Sequence, residues 1–187
     1  MSAPAFTHLP HPNRVADDVR AAAIADPAFG RVFTDHMVSI RYTEGQGWHD
    51  AQVMPRGPLT LDPATAVLHY AQEIFEGNAA RFNASTRRMA MAEMPEELFI
   101  AAVKEAVAAD AHWFPPVEGG ALYLRPFMFA SEVFLGVKPA AEYQFLVITS
   151  PVGNYFKSGA PAISLWVSED YTRAAPGGTG AAKCGGN

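Results

Sequence analysis

The sequence predicts an α+β fold, in which a small domain with a mainly antiparallel sheet over residues 1–149 precedes the start of a larger domain. Apolar pairs recur every four residues after Pro95, which indicates a helix with one buried face. After Pro115-Pro116 the apolar runs become rich in aromatic and β-branched residues, as strands are. Pro, Gly, Asn and Ser are concentrated in residues 150–160, which predicts an interdomain loop. Residues 161–187 then begin the second domain.

The first part of the chain alternates between short helical and extended patterns. A helix is predicted from Asn13 to Ile24, because an asparagine side chain can cap the first turn. His36 to Tyr42 alternates as a half-buried strand does. Gly45-Gln-Gly47 is the turn that follows, and Val53 begins another short extended segment.

The middle of the chain predicts three helices and one strand. Asp62 followed by Pro63 is a typical helix start, and that helix is short. A strand begins at Glu73, and a helical pattern returns from Asn78 to Met89. The third helix opens at Pro95, and its apolar pairs form one core face.

The last part of the chain predicts strands. Ala121 to Ala130 and Glu142 to Thr149 are apolar runs of strand composition. Ile163 to Val167 has the same character and is expected to be the first strand of the larger domain. Together with the helices before them, these runs define the α+β class.

Composition restricts the classes of function. With 187 residues, 49% hydrophobic and 18% charged, the chain is expected to be globular. A net charge of -5 without basic runs argues against nucleic-acid and membrane partners. The single cysteine fits a reducing compartment, and no signal peptide is recognisable, so we expect a cytoplasmic protein. The six histidines show no metal-binding spacing, so no metal is expected.

A glycine- and alanine-rich stretch near the end of the sequence contains one lysine, Lys183. Small neighbours allow a flat ligand to approach the backbone closely. They leave the amine poorly solvated, which is expected to lower its pKa and make it a nucleophile toward an aldehyde. A phosphate-binding P-loop is excluded because Ala182 precedes the lysine and Cys184 follows it. A dinucleotide loop is excluded because the lysine stands where the third glycine belongs. The alternative is an ordinary surface lysine on a flexible loop.

With these elements in place, the chain resembles the branched-chain amino-acid aminotransferases of pyridoxal-phosphate fold type IV. Five stretches carry the resemblance, in the family's order and across most of the chain. They are His36-Met-Val-Ser, Val67-Leu-His-Tyr70-Ala-Gln-Glu-Ile-Phe75-Glu-Gly77, Asn78-Ala-Ala-Arg81-Phe, Tyr123-Leu-Arg125-Pro126 and Gly177-Gly-Thr-Gly-Ala-Ala-Lys183-Cys-Gly-Gly-Asn187.

The resemblance implies pyridoxal 5'-phosphate as the cofactor. Lys183 matches the lysine that holds the cofactor as a Schiff base and then carries a proton. Arg81 matches the arginine for the cofactor's phosphate; the alternative is an exposed helical arginine. Arg87 and Arg88 are expected to be surface or ion-paired residues.

The resemblance also implies a substrate pocket. Arg125 matches the arginine that meets the distal carboxylate of glutamate; the alternative is a strand arginine paired with an acid such as Glu132. Ordinary core packing is the alternative for each aromatic residue of the pocket. The aromatic positions matched to the pocket are Tyr70, Phe75, Tyr123 and Tyr155.

The implied reaction moves the amino group of L-leucine, L-isoleucine or L-valine to 2-oxoglutarate, giving branched 2-oxo acids and glutamate. The implied assembly is a homodimer. Two alternatives stay open. One is another fold type IV enzyme, such as a D-amino-acid transaminase or an aminodeoxychorismate lyase. The other is a non-catalytic fragment that retains only the dimerising surface.

Two departures from the family's pattern stand out. Gly77 runs directly into Asn78, where the family has a β-hairpin. Either a deletion exposes a sheet edge or residues are missing from the sequence. The sequence also stops at Asn187, before the rest of the larger domain. We therefore expect a protein that ends there to be inactive.

Overall fold

The computed structural model describes residues 4–154, 162, 164–170, 172 and 174–186. The helices are α1 (Asp17–Ala25), α2 (Val67–Tyr70), α3 (Ala79–Arg88) and α4 (Glu96–Ala109), with a 3-10 turn at Ala111–Trp113. The strands are β1 (Thr7–His8), β2 (His36–Thr43), β3 (Gly47–Pro55), β4 (Glu73–Phe75), β5 (Ala121–Ala130) and β6 (Glu142–Val152).

The strands form one six-stranded sheet in the order β1-β3-β2-β6-β5-β4. Only the pairing of β1 with β3 is parallel, and every other pairing in this sheet is antiparallel. The longest pairing joins β5 to β6 and runs from Ala121 opposite Val152 to Ala130 opposite Tyr143. The α+β class and the mainly antiparallel sheet are therefore confirmed.

The two faces of the sheet carry separate apolar clusters. Successive strand side chains point to opposite faces, so Phe145 and Val147 of β6 face helices α3 and α4 in the larger cluster. Leu146 and Ile148, one residue further along in each case, belong to the smaller cluster on the other face. This second face has room for a site, because the helices occupy the first.

Three phenylalanines pack helices α3 and α4 against the sheet. The Phe82 ring of α3 lies 5.3 Å from Phe99 of α4 and 5.5 Å from Phe145 of β6, centroid to centroid. Phe99 and Phe145 are 5.7 Å apart. All three are buried. Such edge-to-face and tilted pairs add to the free energy gained by burial.

The predicted starts of α1 and α2 are wrong, for the same physical reason. Val15 N–H donates to Asp35 Oδ1 at 2.9 Å, and this tertiary bond keeps the segment before Asp17 extended. At α2, the Asp62 side chain accepts from Ala64 N–H at 2.8 Å and closes a local turn, so the helix begins only at Val67. In both cases a local or tertiary hydrogen bond competes with the helix.

Three other predicted boundaries differ from the observed ones by between one and six residues. Asn78 caps α3 by accepting from Arg81 N–H at 3.0 Å, so the helix begins at Ala79, one residue after the predicted start. Strand β3 begins at Gly47, earlier than Val53, because the glycine turn leads straight into a hairpin. Strand β6 continues past Thr149 to Val152.

The strand predicted from Ile163 to Val167 is not found among its described residues. Residues 164–168 have no regular secondary structure, and Ile163 lies outside the described residues. The apolar side chains of Leu165, Trp166 and Val167 are exposed. An apolar run of strand composition requires a neighbouring strand to pair with, and none of the described strands does so.

A buried polar network holds the start of β2 to the end of α4. Asp110, which is fully buried, accepts from the backbone N–H and Nδ1 of His36, both at 2.8 Å. Asp35 accepts from Trp113 Nε1 at 2.9 Å as well as from Val15. Burial alone would raise the pKa of Asp35, but hydrogen bonds from Val15, Trp113 and His112 outweigh it and hold that pKa below its ordinary value. These carboxylates act as structural acceptors.

No helix among the described residues is long and apolar enough to cross a bilayer.

Candidate active site

The lysine loop, residues 174–186, lies against the edge strand β4. Phe75 N–H donates to the Lys183 carbonyl at 3.0 Å, so the loop bonds to the edge of β4 that does not pair with β5. Lys183 N–H donates to Ser85 Oγ at 3.1 Å. Gly185 packs so closely on the Glu73 carboxylate that a Cβ there would overlap it. The backbone around the lysine is thus fixed to two elements.

The lysine side chain is exposed, whereas its two neighbours are buried. Ala182 and Cys184 are each 3% exposed and join the larger apolar cluster. Lys183 Nζ lies 4.8 Å from the centroid of the Phe75 ring. We expected the small neighbours to leave this amine desolvated. Among the described residues they do not, because alanine has only a methyl group and glycine has no side chain to cover the amine.

Phe75 also brings the lysine beside Arg125. The Arg125 guanidinium carbon lies 4.8 Å from the Phe75 centroid and 5.4 Å from that of Tyr123. Its Nη2 donates to the Tyr123 hydroxyl at 2.7 Å. Residues 123 and 125 share a face because side chains two apart on a strand point the same way. The structure therefore joins Phe75, Tyr123, Arg125 and Lys183 in one group, which we call the lysine–arginine cluster.

The proposed alternative partner of Arg125 is engaged elsewhere. Glu132 accepts from Lys138 Nζ at 2.7 Å and from Ala141 N–H at 2.5 Å. Burial alone would raise the pKa of Glu132, but these hydrogen bonds and the charge of Lys138 hold it below its ordinary value. The Arg125 guanidinium therefore faces the aromatic rings.

An apolar cavity of about 240 Å³ opens beside the same arginine. Phe29 forms an edge-to-face pair with Tyr123 at 5.0 Å, and Phe33 also lines the space. Sequence reasoning missed both, because they lie between elements where no periodicity marks them. The described residues that line it are Phe29, Gly30, Phe33, Tyr123, Arg125, Ile148, Thr149 and Ser150. A cavity of this kind suits an aliphatic side chain next to a carboxylate.

Arg81 is not part of the lysine–arginine cluster. Its Nη2 lies 3.1 Å from Glu76 Oε2, and its side chain is 72% exposed. Helix α3, which carries it, packs on the opposite face of the sheet from Arg125. The guanidinium is open to solvent at the helix N-terminus, where an anion is also stabilised by the helix dipole.

The remaining predicted pocket residues lie apart or outside the described residues. Tyr70 in α2 stacks on Phe134 with centroids 6.0 Å apart and is 42% exposed. Its other ring neighbour among the described residues is His69. Tyr155 lies outside the described residues.

The three arginines of α3 differ in their partners. Arg87 forms the expected surface ion pair, with Glu93 at 2.7 Å. Arg88 instead donates from Nη2 to the carbonyls of Gly177 and Gly178. No local sequence pattern indicates this contact, because only tertiary folding brings the lysine loop to the helix.

No protein-family model matches the chain. Curated relatives do match. A probable branched-chain-amino-acid aminotransferase of Streptomyces coelicolor is 53% identical over 100% of this chain and 57% of its own length. The branched-chain-amino-acid aminotransferase of Mycolicibacterium smegmatis is 50% identical over 97% of this chain and 55% of its own length. The chain belongs to the branched-chain-amino-acid aminotransferase family.

A solved structure has the same fold. The branched-chain amino acid aminotransferase of Escherichia coli matches 80% of this chain and 52% of its own chain, with a TM-score of 0.53 and 20% identity. At that identity the likeness concerns the fold alone. It confirms the predicted fold of the branched-chain aminotransferases for the part of the chain that it covers.

The chain spans little more than half the length of the curated relatives it matches. The alignment with the Streptomyces coelicolor relative has 207 positions against 187 residues here, so at least 20 aligned positions face gaps in this chain.

Proposed function

We propose that the protein represented by this chain is a branched-chain amino-acid aminotransferase that depends on pyridoxal 5'-phosphate. It transfers the amino group of L-leucine, L-isoleucine or L-valine to 2-oxoglutarate. The observation that carries the proposal is the lysine–arginine cluster, in which Lys183 Nζ and the Arg125 guanidinium each lie 4.8 Å from the Phe75 ring.

The residues present fit part of what the cofactor requires. Lys183 offers an accessible amine for the cofactor's aldehyde, next to an aromatic surface. Arg81 offers an exposed guanidinium at a helix N-terminus for the phosphate, if Glu76 exchanges that partner. The chemistry supplied by bound pyridoxal phosphate is an electron sink that acidifies the proton on the substrate's Cα.

Lys183 has the second task of moving that proton. With the cofactor bound, Nζ would take the proton from the substrate's Cα and carry it, acting as general base and then as general acid. The hydrogen bonds of its backbone to Phe75 and Ser85 keep the attachment point fixed while the side chain swings. A positioned base of this kind contributes about 10²–10⁴-fold to a rate.

Arg125 and the apolar cavity would bind different parts of the substrates. The distal carboxylate of glutamate or 2-oxoglutarate pairs with Arg125, and Tyr123 orients its guanidinium. A branched aliphatic side chain lacks that charge and occupies the apolar space beside Phe29 and Phe33. We propose Phe75, Tyr70 and Tyr155 as further walls of the substrate pocket.

The assembly we propose is a cytoplasmic homodimer. An exposed apolar loop supports it, since Val133, Leu135 and Val137 are 56%, 68% and 101% exposed. Exposed apolar groups close together are typical of protein–protein interfaces. The same loop favours the second candidate, a non-catalytic dimerising protein. We also propose that residues 1–149 form the small domain, 150–160 the interdomain loop and 161–187 the start of the cofactor domain.

A transamination assay tests this proposal. The full-length protein that this chain represents is mixed with pyridoxal phosphate, 2-oxoglutarate and either L-leucine or D-alanine, and glutamate formation is followed. We expect glutamate with L-leucine, none with D-alanine, and none with Lys183→Ala, while Lys104→Ala behaves as wild type. Activity with D-alanine alone would favour another fold type IV enzyme. Stable dimers without activity toward any amino acid would favour the non-catalytic candidate.

A further inference from the structure

The last turn of helix α3 contacts the start of the lysine loop through one side chain. Arg88 Nη2 donates to the Gly177 carbonyl at 2.9 Å and to the Gly178 carbonyl at 2.5 Å. A guanidinium is well suited to this, because it carries several N–H donors in a rigid plane and is always charged. Charge-assisted bonds of this type are about twice as strong as neutral ones.

One turn earlier, the same face of α3 contacts the loop at the lysine itself. Ser85, which is 3% exposed, accepts from Lys183 N–H at 3.1 Å. Residues three apart on a helix lie on the same face, so Ser85 and Arg88 present two contacts to the loop from one rigid element. The segment from Gly177 to Lys183 is therefore held at both ends by α3.

Glycine-rich backbone needs such contacts more than other backbone does. Glycine loses more conformational freedom on ordering than any other residue. The loop has internal turns, with Gly178 N–H bonded to Ala175 O at 3.0 Å and Ala182 N–H bonded to Thr179 O at 2.8 Å. Its start contributes no buried apolar side chain, because residues 174–179 are exposed. Polar contacts must therefore fix that start.

We propose that Arg88 and Ser85 are positioning residues, which hold the backbone of the lysine loop so that the Lys183 amine stays over the Phe75 ring. The importance of this position for catalysis rests on the proposed function. The positioning itself does not, because it concerns hydrogen bonds within this chain only.

The neighbouring arginine provides a matched control. Arg87 has the same side chain on the same helix, but it pairs with Glu93 at the surface at 2.7 Å. Removing Arg87 deletes the same charge and the same side-chain volume as removing Arg88 does. The two variants differ in the contact that is lost, which is with the loop for Arg88 and with Glu93 for Arg87.

The lone cysteine reports on the loop without any cofactor. Cys184 follows Lys183 and is 3% exposed, so it reacts with a thiol reagent only when the loop opens. The experiment measures the rate of 5,5'-dithiobis(2-nitrobenzoate) reaction in wild type, Arg88→Ala, Arg88→Lys, Ser85→Ala and Arg87→Ala, without denaturant and in low urea. Thermal unfolding of each variant is followed in parallel.

We expect Arg88→Ala to raise the rate of the Cys184 thiol reaction by about tenfold or more. This is the change expected when roughly one net hydrogen bond or more no longer holds the loop closed. Ser85→Ala should raise it similarly, Arg88→Lys less, and Arg87→Ala by less than about twofold. The faster rates should not depend on low urea, because a local opening exposes little surface. Rates of Arg88→Ala equal to those of Arg87→Ala would overturn the proposal, and so would a rate that follows global unfolding.

Two further outcomes are separable. If Arg88→Ala does not fold cooperatively, Arg88→Lys decides: a rate between wild type and Ser85→Ala supports the proposal, and a wild-type rate contradicts it. Failure of the proposed function would appear as absent transamination in wild type, and it would leave the thiol rates unchanged. Failure of the positioning role would appear in the thiol rates alone.

Discussion

At the scale of single residues, the cluster around Phe75 brings an amine and a guanidinium to one aromatic ring. Lys183 Nζ and the Arg125 guanidinium carbon each lie 4.8 Å from the ring centroid. Tyr123 fixes the guanidinium by accepting one of its N–H groups. Because both charged groups share one aromatic neighbour, a substrate bound between them would meet both.

Arg125→Met should separate the two substrate classes. We expect kcat/KM for 2-oxoglutarate to fall by about 10²-fold, because a charge-assisted bidentate contact is lost. For L-leucine the fall should be less than about threefold, since its side chain carries no charge. Steady-state kinetics with each substrate varied in turn checks this. Arg87→Met is the control, and equal losses for both substrates would refute the assigned role.

Asp110 is expected to be a stability residue. Its two carboxylate oxygens serve the backbone N–H and Nδ1 of His36 in a fully buried site. Asp110→Ala should lower the free energy of unfolding by about 2–4 kcal/mol, because two buried donors lose their acceptor. Urea unfolding measures the change. The control is Glu97→Ala, at an exposed position of helix α4, the helix that Asp110 follows. It should alter the free energy of unfolding by less than about 0.5 kcal/mol.

The buried phenol of Tyr143 should lower the free energy of unfolding at alkaline pH. Burial raises its pKa from 10.0 to about 12, so the folded protein keeps the phenol proton over a pH range in which the unfolded chain has lost it. Since the folded state then binds more protons, stability falls as pH rises through this range, by about 2–3 kcal/mol in total. Unfolding at several pH values should show this slope, and Tyr143→Phe should reduce it.

At the scale of elements, helix α3 contacts the sheet, helix α4 and the lysine loop. Phe82 binds it to α4 and β6, while Ser85 and Arg88 reach the loop. The Asn78 cap fixes where the helix starts. The register of α3 therefore decides both the core and the site.

Phe82→Ala should destabilise the protein by about 3–5 kcal/mol, as a large-to-small change at a fully buried aromatic does. Phe114→Ala, at a position that is 57% exposed, should cost less than about 1 kcal/mol. Thermal or urea unfolding of the two variants compares them directly. Equal losses would mean that the three-phenylalanine contact is not the link between helix and sheet.

The sequence was informative about elements whose signals are local. Strand β2 follows from alternation along the chain, and helix α4 follows from the apolar pairs that recur every four residues. The sequence was misleading at α1. There the backbone N–H of Val15 donates to Asp35, which directly precedes β2, and this bond keeps the chain before the helix extended. The cavity residues Phe29 and Phe33 and the loop contact of Arg88 depend on tertiary neighbours, which no local pattern reveals.

At the scale of the whole molecule, the site lies on the sheet face that α3 and α4 leave open. The larger apolar cluster binds the helices, and the cavity beside Arg125 forms against the other face. The lysine loop reaches this face around the edge strand β4, whose free edge it partly pairs. The topology of the sheet, with β5 and β4 at one side, therefore places Lys183 beside Tyr123 and Arg125.

The most direct test of the account is the position of a reduced cofactor adduct. The protein is incubated with pyridoxal phosphate, treated with borohydride, digested and examined by mass spectrometry. We predict a pyridoxyl group on Lys183, lost in Lys183→Ala and retained in Lys104→Ala. An adduct on another lysine, with Lys183 unmodified, would contradict the assignment of Lys183 as the reactive amine.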